Sequence, residues 1–285
     1  MSEQKIQIKN LYKIFGNNAE GVMDLVSDGI SKQELLEDHG HVLGLRDINI
    51  DVPDKCIRVF MGLSGSGKST LIRHINRLIE PTSGEVLVGG EDVLAMSDEE
   101  LKNFRRSKAS MVFQKFALLP HRTVIENVGY GLQIQKISET EINKRSQHWI
   151  DRVGLTGFED HYPAQLSGGM QQRAALCQAL IHQPQTLLLD EPLGKLDAMT
   201  RENIRGDLQK LWLDKKPTVV MVTHSIEEAV QMSTRVYLIS PRPGKIDKVV
   251  DIEMDYPRNL AVKQDPRFIQ YIGDIHSVFH GYGVL

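Results

Sequence analysis

The stretch GLSGSGKST, residues 62–70, constrains this chain more than any other. It follows an apolar run at 57–61 and leads into a helical run at 71–78, so it sits where a strand becomes a helix. Gly62, Gly65 and Gly67 let successive backbone N–H groups turn inward around an oxyanion, and a helix starting near Lys68 adds the positive end of its dipole. With Leu63, Ser64 and Ser66 between them, these residues complete the pattern G-x-x-x-x-G-K-[ST]. Lys68 brings a cation to the β- and γ-phosphates of a nucleotide, the Ser69 hydroxyl an oxygen ligand for Mg²⁺, and Thr70 a contact to the α-phosphate.

A phosphate loop of this kind needs a parallel sheet around it, and the remaining chain supplies one. Strand patterns recur at 6–8, 43–52, 57–61, 85–90, 109–113, 186–190, 218–223 and 235–240, with helical runs between several of them. Alternating strand and helix predicts an α/β fold with a sheet covered on both faces. Ser31 with Glu34, Ser97 with Glu100 and Ser138 with Glu141 each predict a capping box at a helix start. Arg58 is out of place in a central strand and is expected near that strand's exposed start. Residues 17–43 read as an acid-rich insertion, and residues 115–165 as a polar helical subdomain set into the sheet. Phe268, Tyr271, Ile272, Ile275, Val278 and Phe279 form one apolar helix face, which either docks on its own domain or meets a partner.

Bulk composition narrows the class. The chain has 285 residues, 41% of them hydrophobic, enough for one large domain or two modest ones. A net charge of -3 gives no field for nucleic acid, and none is expected as a partner. Two distant cysteines, Cys56 and Cys177, read as buried reduced thiols. There is no signal-like apolar segment and no run of about 20 apolar residues to span a bilayer. A membrane role is therefore expected to come through a partner.

The run TLLLDE delivers Asp190 and Glu191 to the carboxyl end of a strand, where ligands of parallel sheets sit. Asp190 is expected to hold Mg²⁺, directly or through water, and Glu191 to orient or deprotonate the attacking water. Residues 166–173, LSGGMQQR, together with the loop, the acidic pair and His224, resemble the ATP-binding cassette family, the motor subunits of ABC transporters. The resemblance spans roughly residues 5–245 and implies a P-loop NTPase parallel-sheet core with an antiparallel β subdomain and an inserted α-helical subdomain. It leaves residues 246–285 as a C-terminal strand and helix extension.

That resemblance implies an ATPase in which two copies pack head to tail, with Ser167, Gly168 and Gly169 binding the γ-phosphate of the ATP held by the opposite copy. It further implies Gln114 as the glutamine that senses Mg²⁺ and attacking water, and His224 as a hydrogen-bonding contact to the γ-phosphate. Phe15 would stack on adenine, and Asp197 would belong to the loop joining the two ATP sites. There the sequence departs from the family: GKLD, with Lys195, stands where a small serine–alanine pair is usual.

The resemblance also implies transmembrane permease subunits, with FALLPHRTVIENVGYGL docking a coupling helix through exposed residues such as Phe116 and Leu118. A substrate-binding protein would act indirectly, and the chain would sit peripherally on the cytoplasmic face of the inner membrane. KNLYKIFG, the 17–43 insertion, NRLIEPTSGEVLVGGEDV and MVFQKFALLPHRTVIENV resemble quaternary-amine importers, those for glycine betaine, proline and choline. DEPLGKLDAMTR and ISPRPGKI are more similar to nitrate, taurine and sulfonate importers, which stay open beside an amino-acid importer. About 40 residues follow the last strand, too few for the paired CBS modules of many quaternary-amine cassettes. A soluble ABC ATPase lacks its coiled-coil insertion here, and a P-loop kinase would not need LSGGM.

Overall fold

The computed structural model describes residues 4–114, 117–194 and 196–283. A six-stranded sheet runs β10 (Ile246–Asp251), β9 (Arg235–Ile239), β3 (Ile57–Gly62), β8 (Thr218–Thr223), β7 (Thr186–Asp190) and β6 (Ala109–Val112). All neighbours in it are parallel except β10 against β9. Every residue of β3, β7 and β8 is buried, the mark of strands covered on both faces. The period of two still sorts them: Val59 and Met61 face one core, Phe60 the other.

A second, antiparallel sheet has the order β2 (Val42–Pro53), β1 (Gln4–Phe15), β4 (Ser83–Val88) and β5 (Glu91–Asp92). Its inner face packs through Ile6, Ile8, Ile48 and Val86 against Phe60, Val220 and Ile239 of the parallel sheet. Helix α3 (Lys68–Ile75), directly after the glycine loop, and α4 (Asp98–Ser107) share that core. On the other face lie α5 (Val124–Ile134), α6 (Glu139–Arg152), α7 (Gly168–Leu180), α8 (Ala198–Lys215), α9 (Ile226–Met232) and α10 (Pro266–Gly281). The insertion carries α1 (Met23–Ser27) and α2 (Lys32–Glu37), which close a small core of Val22, Val26 and Leu35 over Ile14 and Leu43.

Several expectations hold and several are corrected. The capping boxes at Ser31–Glu34 and Ser97–Glu100 form. The one expected at Ser138 does not, because Arg145 one turn on draws the Glu141 carboxylate down the helix at 2.6 Å. A box forms instead at Thr123 and Glu126, starting α5. Arg58 is not at an exposed start: it is 8% exposed, since β8 and β9 begin in register on either side and its guanidinium reaches the Thr234 hydroxyl. Leu118 is half-buried against the main core rather than displayed. Phe116 and Lys195 lie outside the described residues. Cys56 and Cys177 are free and buried, and burial pushes both thiols up, Cys56 to about 11. No described helix is long and apolar enough to cross a membrane.

The apolar face of α10 docks on its own domain, with Phe268, Ile275 and Phe279 buried in the main core. Just before it, the buried Arg258 guanidinium donates to the carbonyls of Val230 and Ser233 at the end of α9 and of Met254 on its own segment. Gln209 and Gln231 donate in turn to the Arg258 carbonyl. Replacing fully buried Ile275 by alanine should cost about 2–5 kcal/mol in urea unfolding. A change near zero would show the helix undocked in solution.

Burial also holds the His74 imidazole in α3 down, at about 4. Its Nδ1 lies 2.7 Å from the Ile79 carbonyl, while Nε2 is buried without a partner, so a second proton has nothing to meet. The unfolded chain takes up that proton first, near 6.5. Stability should therefore fall as pH drops from about 6.5 towards about 4. His74→Asn should flatten this decline, as read from urea midpoints at pH 7 and pH 5.

Candidate active site

The glycine loop leaves the carboxyl end of β3 and turns back through two left-handed positions, Gly65 at φ +78° and Gly67 at φ +94°. Gly67 has a second reason to be glycine: a Cβ there would stand 2.7 Å from Leu45 Cδ2. Gly67 is also the N-cap of α3 and offers no side chain, so no side chain caps the first N–H groups of that helix. Lys68 is 5% exposed and folds over the loop, its Nζ donating to the Leu63 carbonyl at 2.8 Å. Burial pulls its pKa below the ordinary lysine value, and Glu191 and Asp190 only partly offset this. The Ser66 hydroxyl is buried with no partner. Uncapped N–H groups at the start of α3 beside a desolvated ammonium fit a polyanion.

The acidic pair completes the site from β7. Asp190 is fully buried; its Oδ1 accepts from the Ser69 hydroxyl at 2.7 Å and its Oδ2 pairs with Arg73 Nη2 at 3.0 Å. Arg73 escaped the sequence reading, although it lies one turn beyond Ser69 on the same face of α3 and the i, i+4 spacing was available. Among the described residues no group of three or more His, Cys, Asp or Glu side chains could hold a metal by itself. One hydroxyl beside one carboxylate fits a hard cation that takes its remaining oxygens from phosphate and water.

Glu191 adopts φ +50°, and its N–H donates to the Val222 carbonyl of β8 at 3.0 Å. This left-handed turn aims the carboxylate between two neighbours. Gln114, just past β6, donates from Nε2 to Oε2 at 2.9 Å, and His224, just past β8, places Nδ1 3.5 Å from Oε1. The turn that carries His224 is fixed on both sides: the Thr223 hydroxyl donates to Glu228 at 2.6 Å, and Ser225 caps α9. A second residue that the sequence reading missed is Gln172. Buried in α7, it donates to the backbone carbonyls of Glu191 and Pro192 and so ties the LSGGM helix to the acidic turn. Its signal was a polar residue on the alanine-lined, inward face of that helix.

The loop, Ser69, Gln114, Asp190, Glu191 and His224 thus meet at the carboxyl ends of parallel strands. Ser167, Gly168 and Gly169 do not join them; no hydrogen bond among the described residues links them to the loop. Ser167 is the exposed N-cap of α7, and a Cβ on Gly168 would meet nothing within 4 Å. Asp197 is the N-cap of α8, and hydrogen bonds from the Thr200 side chain and from its N–H, the latter at 2.9 Å, help hold its carboxyl below the usual range. Phe15 ends β1, 43% exposed, with its ring against Gly44.

The sequence profile of the ABC transporter family matches residues 45–194. The chain is 43% identical over 272 residues to the glycine betaine transport ATP-binding protein OpuAA of Bacillus subtilis (strain 168), covering 95% of this chain and 63% of that protein. It is 42% identical to the glycine betaine/proline betaine transport system ATP-binding protein ProV of Escherichia coli (strain K12), covering 96% of this chain and 68% of that one. It thus spans about two thirds of the length of these relatives, and slightly less than that of OpuAA. Among solved structures, a dimeric post-hydrolysis state of the ATP-binding cassette MJ0796 bound to ADP and Pi superposes with a TM-score of 0.74 at 31% identity, covering 88% of this chain and 100% of that chain.

Removing the Arg73 guanidinium leaves the Asp190 carboxylate enclosed without a cation. Arg73→Ala should destabilise the protein by about 2 kcal/mol, less than for a fully enclosed pair because a third of the Arg73 side chain meets solvent. Arg73→Lys should recover part of it. Urea unfolding at pH 7 measures both, and an unchanged midpoint in Arg73→Ala would show the pair to be idle.

Proposed function

The chain belongs to the ABC transporter family, and on that footing we propose that it is the ATP-hydrolysing subunit of an importer for a quaternary amine or other compatible solute, such as glycine betaine, proline or choline. The observation that carries the enzymatic half is the Glu191 carboxylate, hydrogen-bonded by Gln114 on one oxygen and 3.5 Å from His224 Nδ1 on the other, beside the loop that would hold the triphosphate. Lys68 and the N–H groups opening α3 bind the β- and γ-phosphates, and Phe15 stacks on adenine. Ser69 and Asp190, with Gln114 near, would hold Mg²⁺, which supplies positive charge against the phosphate oxygens.

Glu191 then accepts the proton of the attacking water as the water oxygen bonds to the γ-phosphorus. The bond from that phosphorus to the bridging oxygen of ADP breaks, and its electron pair stays on ADP. Gln114 keeps the carboxylate aimed, and His224 contacts the γ-phosphate. Ser167 and Gly168, exposed on this chain, and the half-buried Gly169 bind the γ-phosphate in a head-to-tail partner copy, and Asp197 lies at the junction between the two sites. The exposure of Ser167 and Gly168 at the start of α7 supports this arrangement, because the N–H groups that open a helix favour an anion.

The transport half rests on the betaine-transport relatives. A cavity of about 310 Å³ between the parallel sheet and the inserted helices, lined by Leu78, Tyr130, Ile134 and Arg105, suits a permease coupling helix. The chain would then lie peripherally on the cytoplasmic face of the membrane, with a substrate-binding protein acting through the permease.

Glu191→Gln should bind ATP and form dimers while losing turnover by roughly 10²–10⁴-fold. Phosphate release and size-exclusion chromatography with ATP check this, and retained hydrolysis would remove Glu191 as the base. Uptake of labelled betaine and choline, against taurine and histidine, by the chain with its permease tests the substrate class.

A further inference from the structure

We infer that the 17–43 insertion is part of the nucleotide site, with α2 walling the purine nucleoside half of the bound nucleotide. The inference rests on the reading of residues 62–70 as a nucleotide loop and extends it to residues outside the family's motifs. A cavity of about 360 Å³ opens at the tip of that loop, bordered by Ser64 and Gly65, by Lys32 and Leu36 of α2, by Val42, and by Arg242 beyond β9.

Strand order fixes which half of the ligand meets it. Glu191 and His224 follow β7 and β8, on one side of β3, whereas Arg242 follows β9 on the other. A triphosphate whose terminal phosphate points to Glu191 therefore extends its sugar and base towards the Arg242 side. Phe15 marks the same region. It pairs directly with Val42 across β1 and β2, so the two side chains leave the sheet on one face, and the Phe15 ring lies over Gly44 on that face.

The wall is held in place. His41 is 8% exposed and sets one ring nitrogen against the Asn17 carbonyl at 2.7 Å and the other against that of His39, clamping the two ends of the insertion together. The imidazole packs so closely on Gly16 that a Cβ there would stand 2.4 Å from it. The neck is therefore fixed to the residue next to Phe15. Lys32 and Leu36 are one helical turn apart and share a face; Leu36 is 51% exposed, the other apolar residue of the pair Leu35–Leu36 being buried. Arg242 donates to the Gly65 carbonyl at 3.3 Å. An apolar side chain with two cations beside a phosphate loop suits a base carried on a phosphorylated sugar.

The test compares ATP with inorganic tripolyphosphate, which has the phosphates and no nucleoside. Both are titrated calorimetrically with Mg²⁺ into the full chain, Lys32→Ala/Leu36→Ala and Lys68→Ala. The double variant alters two exposed side chains, and its thermal midpoint should match the parent. It should bind ATP about tenfold more weakly and tripolyphosphate equally well. Lys68→Ala should weaken both ligands. Unchanged ATP affinity in the double variant, or an equal loss for both ligands, overturns the role of the insertion. Unchanged binding of both ligands to Lys68→Ala overturns the nucleotide reading itself.

Discussion

The Asp190 carboxylate, fully buried and shared between the Ser69 hydroxyl and the Arg73 guanidinium, is the contact on which the rest of the site depends. It joins the end of β7 to the first turns of α3, two elements more than 100 residues apart in sequence. A charge so enclosed is tolerated only with close partners. Its position therefore dictates where α3 begins, and with it where the glycine loop closes. The parallel order of β3, β8 and β7 is the geometry that brings those ends level.

Glu191 is organised by the same sheet edge but by different means. Its left-handed backbone and its bond to Val222 turn the chain sharply after β7. Side chains arriving from three other places then bracket it: Gln114 after β6, His224 after β8 and Gln172 from α7. Each belongs to a separate layer of the fold. A shift in the inserted helices, transmitted along α7, would reach the acidic turn through the Gln172 amide, and a shift near β6 would reach it through Gln114. The C-terminal segment joins this circuit too, because Arg258 closes the carbonyl end of α9, the helix that begins beside His224.

Much of this was legible in the chain itself, for identifiable reasons. The glycine loop reads directly because only small residues permit its backbone, and β7 and β8 read directly because strands buried on both faces are continuous apolar runs. Ser31 and Ser97 read correctly as caps because the capping box is local. At Ser138 the helix starts where expected but the box does not form, since Arg145 competes for Glu141 within the same helix.

What the sequence determined alone was the local chemistry: which residues form the loop, which strand presents the acidic pair, and which helix faces are apolar. Such features depend on neighbours a few residues away, and a pattern of spacing captures them. The tertiary structure decided what spacing cannot hold. It buried Arg58 between two distant strands, gave Asp190 its guanidinium partner, and placed α2 beside the tip of the loop. Those outcomes turn on which strands become neighbours. Strand order is set by the collective burial of two sheets and their helices, a property that no short stretch of residues carries.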